Sequence, residues 1–183
     1  MKLEVLEKEG YYHIYNRGIN STNIFENDAN KSFFLKQLSK HLSGKVSLFA
    51  YCLMSNHFHL VVHLNEDEKS VTKGFSDFFN SYAKAFNKQN NRTGSLFEKH
   101  FKRIKLNDEE YLRNLILYVH LNPKHHLDLD FTKYKFSSYQ AFLSDKDTKM
   151  ERTRVLELFG GIENFIYCHM KKNDFLTEKY TFE

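Results

Sequence analysis

At 183 residues the chain is long enough for one well-buried core and too short for two large domains. Eighteen Phe and eleven Tyr make it rich in aromatics, and its formal charge is a modest +4. The sequence shows no apolar run of membrane-spanning length and no signal-peptide core in the acidic residues 1–9; Cys52 and Cys168 suit neither a disulfide framework nor a zinc knuckle, so a reduced, cytoplasmic setting with no membrane partner is expected.

Residues 11–16 are strong β-formers and read as a first strand ending at Arg17-Gly18. Asn27-Asp28 can cap a helix in which Phe33, Phe34, Leu38 and Leu42 recur at helical spacing, and Gly44 stops it. Residues 46–54 read as a second strand, turned by Ser55 and Asn56 into a third, His57-Phe58-His59-Leu60-Val61-Val62-His63-Leu64. A second helix covers about residues 70–87, with Val71, Phe75, Phe78, Phe79, Tyr82 and Phe86 on one side. After a polar loop, Phe101, Ile104 and Leu106 alternate with basic residues in a fourth strand. This order, β-α-β-β-α-β, predicts an α+β fold of the ferredoxin-like split β-α-β kind: an antiparallel sheet with both helices on one face.

An extra helix follows, from Asn107 or Asp108 to Asn122. Asn107 with Glu110 resembles a capping box, and Pro123 marks the expected end. Tyr111, Leu115, Tyr118 and Asn122 share one stripe of it, and Leu112, Ile116 and Val119 another. The tail has a short helical pattern through Leu156, Phe159, Phe165 and Ile166. The expected division is a main domain over residues 1–143 and a C-terminal extension over 144–183, packed on or near it.

Side chains alternate along a strand, so His57, His59, Val61 and His63 point one way while Phe58, Leu60, Val62 and Leu64 form an apolar face for the helices to cover. His57 and His59 are then expected on the uncovered face, where two adjacent imidazoles pack poorly but suit a metal ion. A lone strand histidine is more often simply hydrogen-bonded, and the pair gains weight only from the rest of the chain. His63 is about 13 Å along the strand from His59, too far to share an ion. His13, on the first strand, and His120, off the Tyr118 stripe, are minor candidates; His41 and His169 read as surface residues. From residue 84 to 105, seven basic residues (Lys84, Lys88, Arg92, Lys99, Lys102, Arg103 and Lys105) face Glu98 alone. Such a stripe suits a polyanion, and equally a solvated surface.

Several segments together resemble one family. The histidine strand preceded by Tyr51-Cys52-Leu53-Met54-Ser55-Asn56, the opening Tyr11-Tyr12-His13-Ile14-Tyr15-Asn16-Arg17-Gly18, Gly94-Ser95-Leu96-Phe97, Tyr118-Val119-His120-Leu121-Asn122-Pro123 and Phe136-Ser137-Ser138-Tyr139 resemble the HUH single-tyrosine insertion-sequence transposases, most of all their REP-associated branch. The family often has Trp at Phe136 and Pro at Ser55, and a more apolar turn where Lys124-His125-His126 stands. The resemblance implies a metal-dependent DNA transposase acting on single-stranded or hairpin DNA, as a monomer or homodimer. His57 and His59 would bind Mg²⁺ or Mn²⁺, and Asn122 would complete the site. Tyr118 would attack a phosphate to give a 5′-phosphotyrosine and a free 3′-OH, and a second strand's 3′-OH would later reverse the step. Arg17 joins the basic stripe as a candidate DNA contact.

The chemistry is consistent with that implication. Phosphodiester attack develops charge that a cation stabilises, and a phenol with a reference pKa near ~10 needs such help to ionise at neutral pH. Imidazole and amide ligation with open positions suits Mg²⁺ or Mn²⁺. Two other functions are open. One is a non-catalytic nucleic-acid-binding module that stacks bases on Tyr12, Tyr15 and Phe101. The other is a metal-dependent phosphodiesterase that uses water. Covalent capture of DNA separates the transposase from both.

Overall fold

Alternation along the strands builds a four-stranded antiparallel sheet in the order β2-β3-β1-β4, from β1 (Tyr11–Arg17), β2 (Val46–Leu53), β3 (His57–Leu64) and β4 (Lys102–Leu106). The structure is a computed structural model that describes residues 4–171; residues 1–3 and 172–183, the last part of the expected C-terminal extension, lie outside these. The β2–β3 hairpin turns at Ser55 and Asn56, with Met54 N–H donating to His57 O at 2.9 Å. A Cβ on Gly18 would stand 2.0 Å from the Thr22 carbonyl oxygen, so the turn leaving β1 requires glycine.

Helices α1 (Asp28–Leu42) and α2 (Glu68–Gln89) cover one face. Asn27 caps α1 by accepting from Asn30 N–H at 3.0 Å, and Asp67 caps α2 by accepting from Ser70 N–H at 3.0 Å. Tyr12 and Ile14 of β1 and Phe58, Leu60 and Val62 of β3 meet Phe34, Phe75, Phe78 and Tyr82 there. This is the α+β architecture expected from the element order.

The opposite face departs from the expectation of an open surface. It is covered by α3 (Glu109–Leu127), α4 (Tyr139–Leu143), α5 (Arg152–Leu158) and α6 (Ile162–Lys171), which build a second core on Ala50, Cys52 and Val61. Leu112, Leu115, Ile116 and Val119 of α3, Val155 of α5, Phe159 at its C-terminal cap and Phe165 of α6 supply it. Both α3 stripes are consumed by packing, which is why the face is closed. His59 is 1 % exposed in consequence. Tyr12 is also buried, with its hydroxyl donating to Val5 O at 2.9 Å, so it offers no base-stacking surface.

Two bounds of α3 differ from the sequence reading. Asp108, not Asn107, is the cap, accepting from Tyr111 N–H at 2.7 Å. Pro123 does not end the helix, which runs to Leu127 and closes on a left-handed Asp128 (φ 51°) whose N–H reaches Lys124 O at 3.1 Å. The proline removes one internal N–H, and this C-terminal cap together with the bond from Leu129 N–H to Pro123 O at 3.1 Å holds the last turn.

His169, read from sequence as a surface residue, is 0 % exposed. Its Nδ1–H donates to Phe165 O at 2.7 Å, and its Nε2 faces His120 Nδ1 at 2.8 Å. His120 Nε2 in turn meets Ser138 Oγ at 2.7 Å, and that hydroxyl accepts from Tyr51 N–H at 2.9 Å. The chain of donors joins α6 and α3 to β2, and gives His120 a structural place. Burial pulls the His169 pKa down to about 4. The unfolded chain therefore binds the proton more tightly than the folded one. Stability is full above the ordinary histidine value and is lost as pH falls through this window, by roughly 3 kcal/mol in total. Denaturant titrations at neutral and acidic pH should show this loss, flattened in His169→Gln; an unchanged pH slope in that variant would contradict the assignment.

Candidate active site

β3 delivers His57 and His59 to the face beneath α3, and α3 delivers Tyr118 and Asn122 to meet them. His57 Nε2 lies 3.3 Å from Asn122 Oδ1. The His57 and His59 rings are 5.1 Å apart, centroid to centroid, and the Tyr118 ring stands edge-on to His59 at 5.6 Å. Two further bonds orient the first pair. His57 Nδ1 meets Asn56 Oδ1 at 2.7 Å, and Asn122 Nδ2–H donates to the Tyr118 carbonyl at 3.2 Å. With His57 donating from Nδ1, its Nε2 lone pair and the Asn122 carbonyl oxygen converge. Two converging acceptors are a fit for a cation, because ligand atoms at ~2.1 Å from one Mg²⁺ in octahedral geometry lie about 3 Å apart.

His13 adds a layer behind His59. Its Nε2 is 2.9 Å from His59 Nδ1, and the Tyr15 ring stacks on it at 4.5 Å. Burial, and then His59 beside it, hold His13 well below the ordinary histidine pKa, so it is neutral and can accept the His59 Nδ1–H. That tautomer directs the His59 Nε2 lone pair away from His13. Among the described residues no three His, Cys, Asp or Glu side chains are grouped to hold a metal ion, and the amide of Asn122 is a further oxygen beside His57.

A hollow of about 700 Å³ opens beside these groups, lined by His57, His59, Arg17, Asn56, Lys102 and His126 among others. Tyr118 and Asn122 are not in that lining; Tyr118 is 8 % exposed and Asn122 is fully buried. His126 went unnoticed in the sequence because Pro123 was expected to stop the helix. Its ring is 5.5 Å from that of His57. The signal was the i, i+4, i+8 spacing of Tyr118, Asn122 and His126, which continues the same stripe by one turn beyond Asn122.

The basic stripe divides. Lys102 pairs with Tyr15 and so faces the hollow, whereas Arg103 and Lys105 pair with Ile14 and Tyr12 and share the face covered by α1 and α2. Lys105 binds Glu7 at 2.5 Å, Arg17 binds Glu98 at 2.6 Å, and Arg92 donates to Asn87 Oδ1 at 3.1 Å. Lys84, Lys88 and Lys99 are exposed. His63 sits apart, with Asn65 Oδ1 at 3.0 Å.

Fold and side-chain placement together define a ferredoxin-like α+β domain whose histidine-bearing strand is roofed by an added helix. No protein-family model matches the sequence, and no curated protein does. Among solved structures the fold is similar to that of a REP-associated tyrosine transposase bound to a REP hairpin, with a TM-score of 0.62 at 14% identity over 79% of this chain and 85% of that one. A tRNA(His) guanylyltransferase from Saccharomyces cerevisiae also matches, at 11% identity over 95% of this chain and 84% of that one, but with a TM-score of 0.43 it bears on neither fold nor function. No helix among the described residues is long and apolar enough to cross a membrane.

Proposed function

We propose that this protein is a metal-dependent DNA strand-transfer enzyme, a transposase acting on single-stranded or hairpin DNA. The observation that carries the reading is the approach of His57 Nε2 to Asn122 Oδ1 at 3.3 Å, beside His59 and Tyr118. The fold it shares with a transposase bound to a hairpin adds support. His57, His59 and Asn122 would hold Mg²⁺ or Mn²⁺, which when bound stabilises charge on the phosphate and on the leaving oxygen. His13 fixes the tautomer of His59, and Asn56 that of His57. The Tyr118 oxygen attacks phosphorus, the bond from phosphorus to the 3′-oxygen breaks, and that oxygen takes a proton, leaving a 5′-phosphotyrosine. Attack by another strand's 3′-OH reverses the step. Because Tyr118 is nearly buried, attack follows a movement of its ring or of α3 toward the hollow. Residues 1–143 carry the chemistry in this reading, and within the extension over 144–183 His169 braces α3 through His120. Arg17, Lys84, Lys88, Arg92, Lys99, Lys102, Arg103 and Lys105 are the proposed DNA contacts, with Lys105 and Arg17 having to exchange a carboxylate for phosphate.

The burial of Tyr118 favours a second reading, in which water in the hollow is the nucleophile and the protein is a metal-dependent phosphodiesterase. Incubation with single-stranded hairpin oligonucleotides in Mn²⁺, Mg²⁺ or EDTA tests both readings. Cleavage that requires the metal and leaves DNA attached to protein supports strand transfer. Cleavage without attachment supports the phosphodiesterase, and equal cleavage in EDTA contradicts both.

A further inference from the structure

We propose that Ser138, acting through His120, fixes the rotation of α3 about its axis and so aims Tyr118 and Asn122 at the histidine pair; this rests on the DNA-processing reading above. Ser138 ties α3 to β2. Its hydroxyl donates to His120 Nε2 at 2.7 Å and accepts from Tyr51 N–H at 2.9 Å, and its own N–H donates to Tyr51 O at 3.0 Å. Leu53 N–H likewise donates to Phe136 O at 2.9 Å, so residues 136–138 lie along the edge of β2. β2 in turn pairs with β3, where Cys52 stands opposite His59. A short path of hydrogen bonds therefore runs from the hairpin that carries His57 and His59 to the helix that carries Tyr118 and Asn122.

The direction of each bond in this path is set. His169 Nδ1 faces the Phe165 carbonyl oxygen and must carry the proton. Its Nε2 is then an acceptor, which makes His120 Nδ1 a donor, His120 Nε2 an acceptor and the Ser138 hydroxyl the donor to it. Stability alone does not call for such a chain. His120, Ser138 and His169 are 0 % exposed, and the rings of Tyr139, Phe142 and Phe165 surround His120, where an apolar side chain would fill the space without giving up hydration. What a satisfied directional chain adds to apolar packing is a single preferred geometry.

That geometry bears on the active site because of where His120 sits. It is two residues from both Tyr118 and Asn122, about 200° round the helix from each, so it holds the back of α3 while they face the histidines. Side-chain atoms stand ~5 Å from a helix axis, so a turn of about 20° would carry the Asn122 amide ~2 Å. The gap it has to keep, from Oδ1 to His57 Nε2, is 3.3 Å. A misplacement on the order of 1 Å costs roughly a hundredfold in rate. Ser138 and His120 are thus positioning residues.

The test separates positioning from stability by replacing the imidazole pair whole. In His120→Leu with His169→Leu no buried ring nitrogen is left unpaired, and the Ser138 hydroxyl can turn to Tyr51 O at 3.3 Å, so this protein should unfold at the wild-type denaturant concentration or above it. Its single-turnover cleavage of a hairpin oligonucleotide in Mn²⁺ should nonetheless fall roughly a hundredfold, with the hairpin dissociation constant unchanged. Mn²⁺ affinity, measured by calorimetry without DNA, should weaken, because Asn122 is a proposed ligand. His169→Gln, whose amide oxygen can still accept from His120 Nδ1–H, should keep most of the rate. Val155→Ala, in the second core and outside the path, should lower the unfolding midpoint and leave rate and Mn²⁺ affinity alone. If the protein lacking both imidazoles does not fold, Ser138→Ala compared with Val155→Ala decides the same question. Wild-type rate and Mn²⁺ affinity in the folded variant, or an equal loss in Val155→Ala, overturns the inference and leaves the DNA reading standing. A wild type that cleaves no hairpin refutes that reading and the inference with it.

Discussion

Alanine at His57 and His59 together should reduce metal-dependent cleavage by on the order of a thousandfold or more, because a cation's stabilisation of the transferring phosphate is worth several kcal/mol. His57 is half-buried at the hollow, so its removal disturbs the fold little. His59 lies beneath α3 at 1 % exposure, and its truncation opens a hole there. His59→Leu, which fills nearly the same volume and carries no ligand atom, is therefore the companion variant, and each protein is checked for cooperative unfolding. His13→Phe should retain the ligands while losing the partner of His59 Nδ1, with a loss of ~10–100-fold. Isothermal titration with Mn²⁺ should show the same ranking. Undiminished cleavage by a folded double variant would remove the metal site from the account.

The second large effect is expected at Tyr118. Replacing it with Phe keeps the ring that packs in the second core, so stability should change by no more than about 1 kcal/mol. Metal affinity should be unchanged, since His57, His59 and Asn122 remain. Strand cleavage with attachment should nevertheless fall below detection. Tyr111→Phe, two stripe positions earlier on the same helix and packed against the same core, should behave as wild type. Attachment that survives in Tyr118→Phe would assign the nucleophile elsewhere, whereas a normal rate of cleavage without attachment would favour the water-using reading.

Much of this arrangement is legible in the chain because alternation along a strand is a strict rule. Phe58, Leu60 and Val62 had to face one way and His57 and His59 the other, and the observed register agrees. Asn27 and Gly44 likewise mark the ends of α1, since each supplies backbone chemistry the helix lacks there. The covering of the histidine face was hidden. Ala50, Cys52 and Val61 are small apolar residues interspersed with imidazoles, a pattern that reads as half-exposed until α3, α5 and α6 are laid over it. The burial of His169 depends on His120, forty-nine residues earlier, and no local pattern reports a pairing of that separation. Pro123 misled for a different reason: a proline forbids one hydrogen bond, but the left-handed cap at Asp128 keeps the helix going past it and brings His126 to the hollow. The basic stripe was visible as composition, yet its division between two faces follows from pairing with β1, which only the sheet reveals.

The central claim is that a tyrosine of α3 becomes bonded to DNA. Its most direct test is proteolysis and mass spectrometry of the wild-type protein after reaction with a single-stranded hairpin in Mn²⁺, which locates the attached nucleotide. The account predicts a phosphodiester-linked peptide containing Tyr118, sensitive to prior chelation of the metal. A nucleotide on Tyr111 or on any other residue, or efficient cleavage with no nucleotide bound to protein, would contradict it.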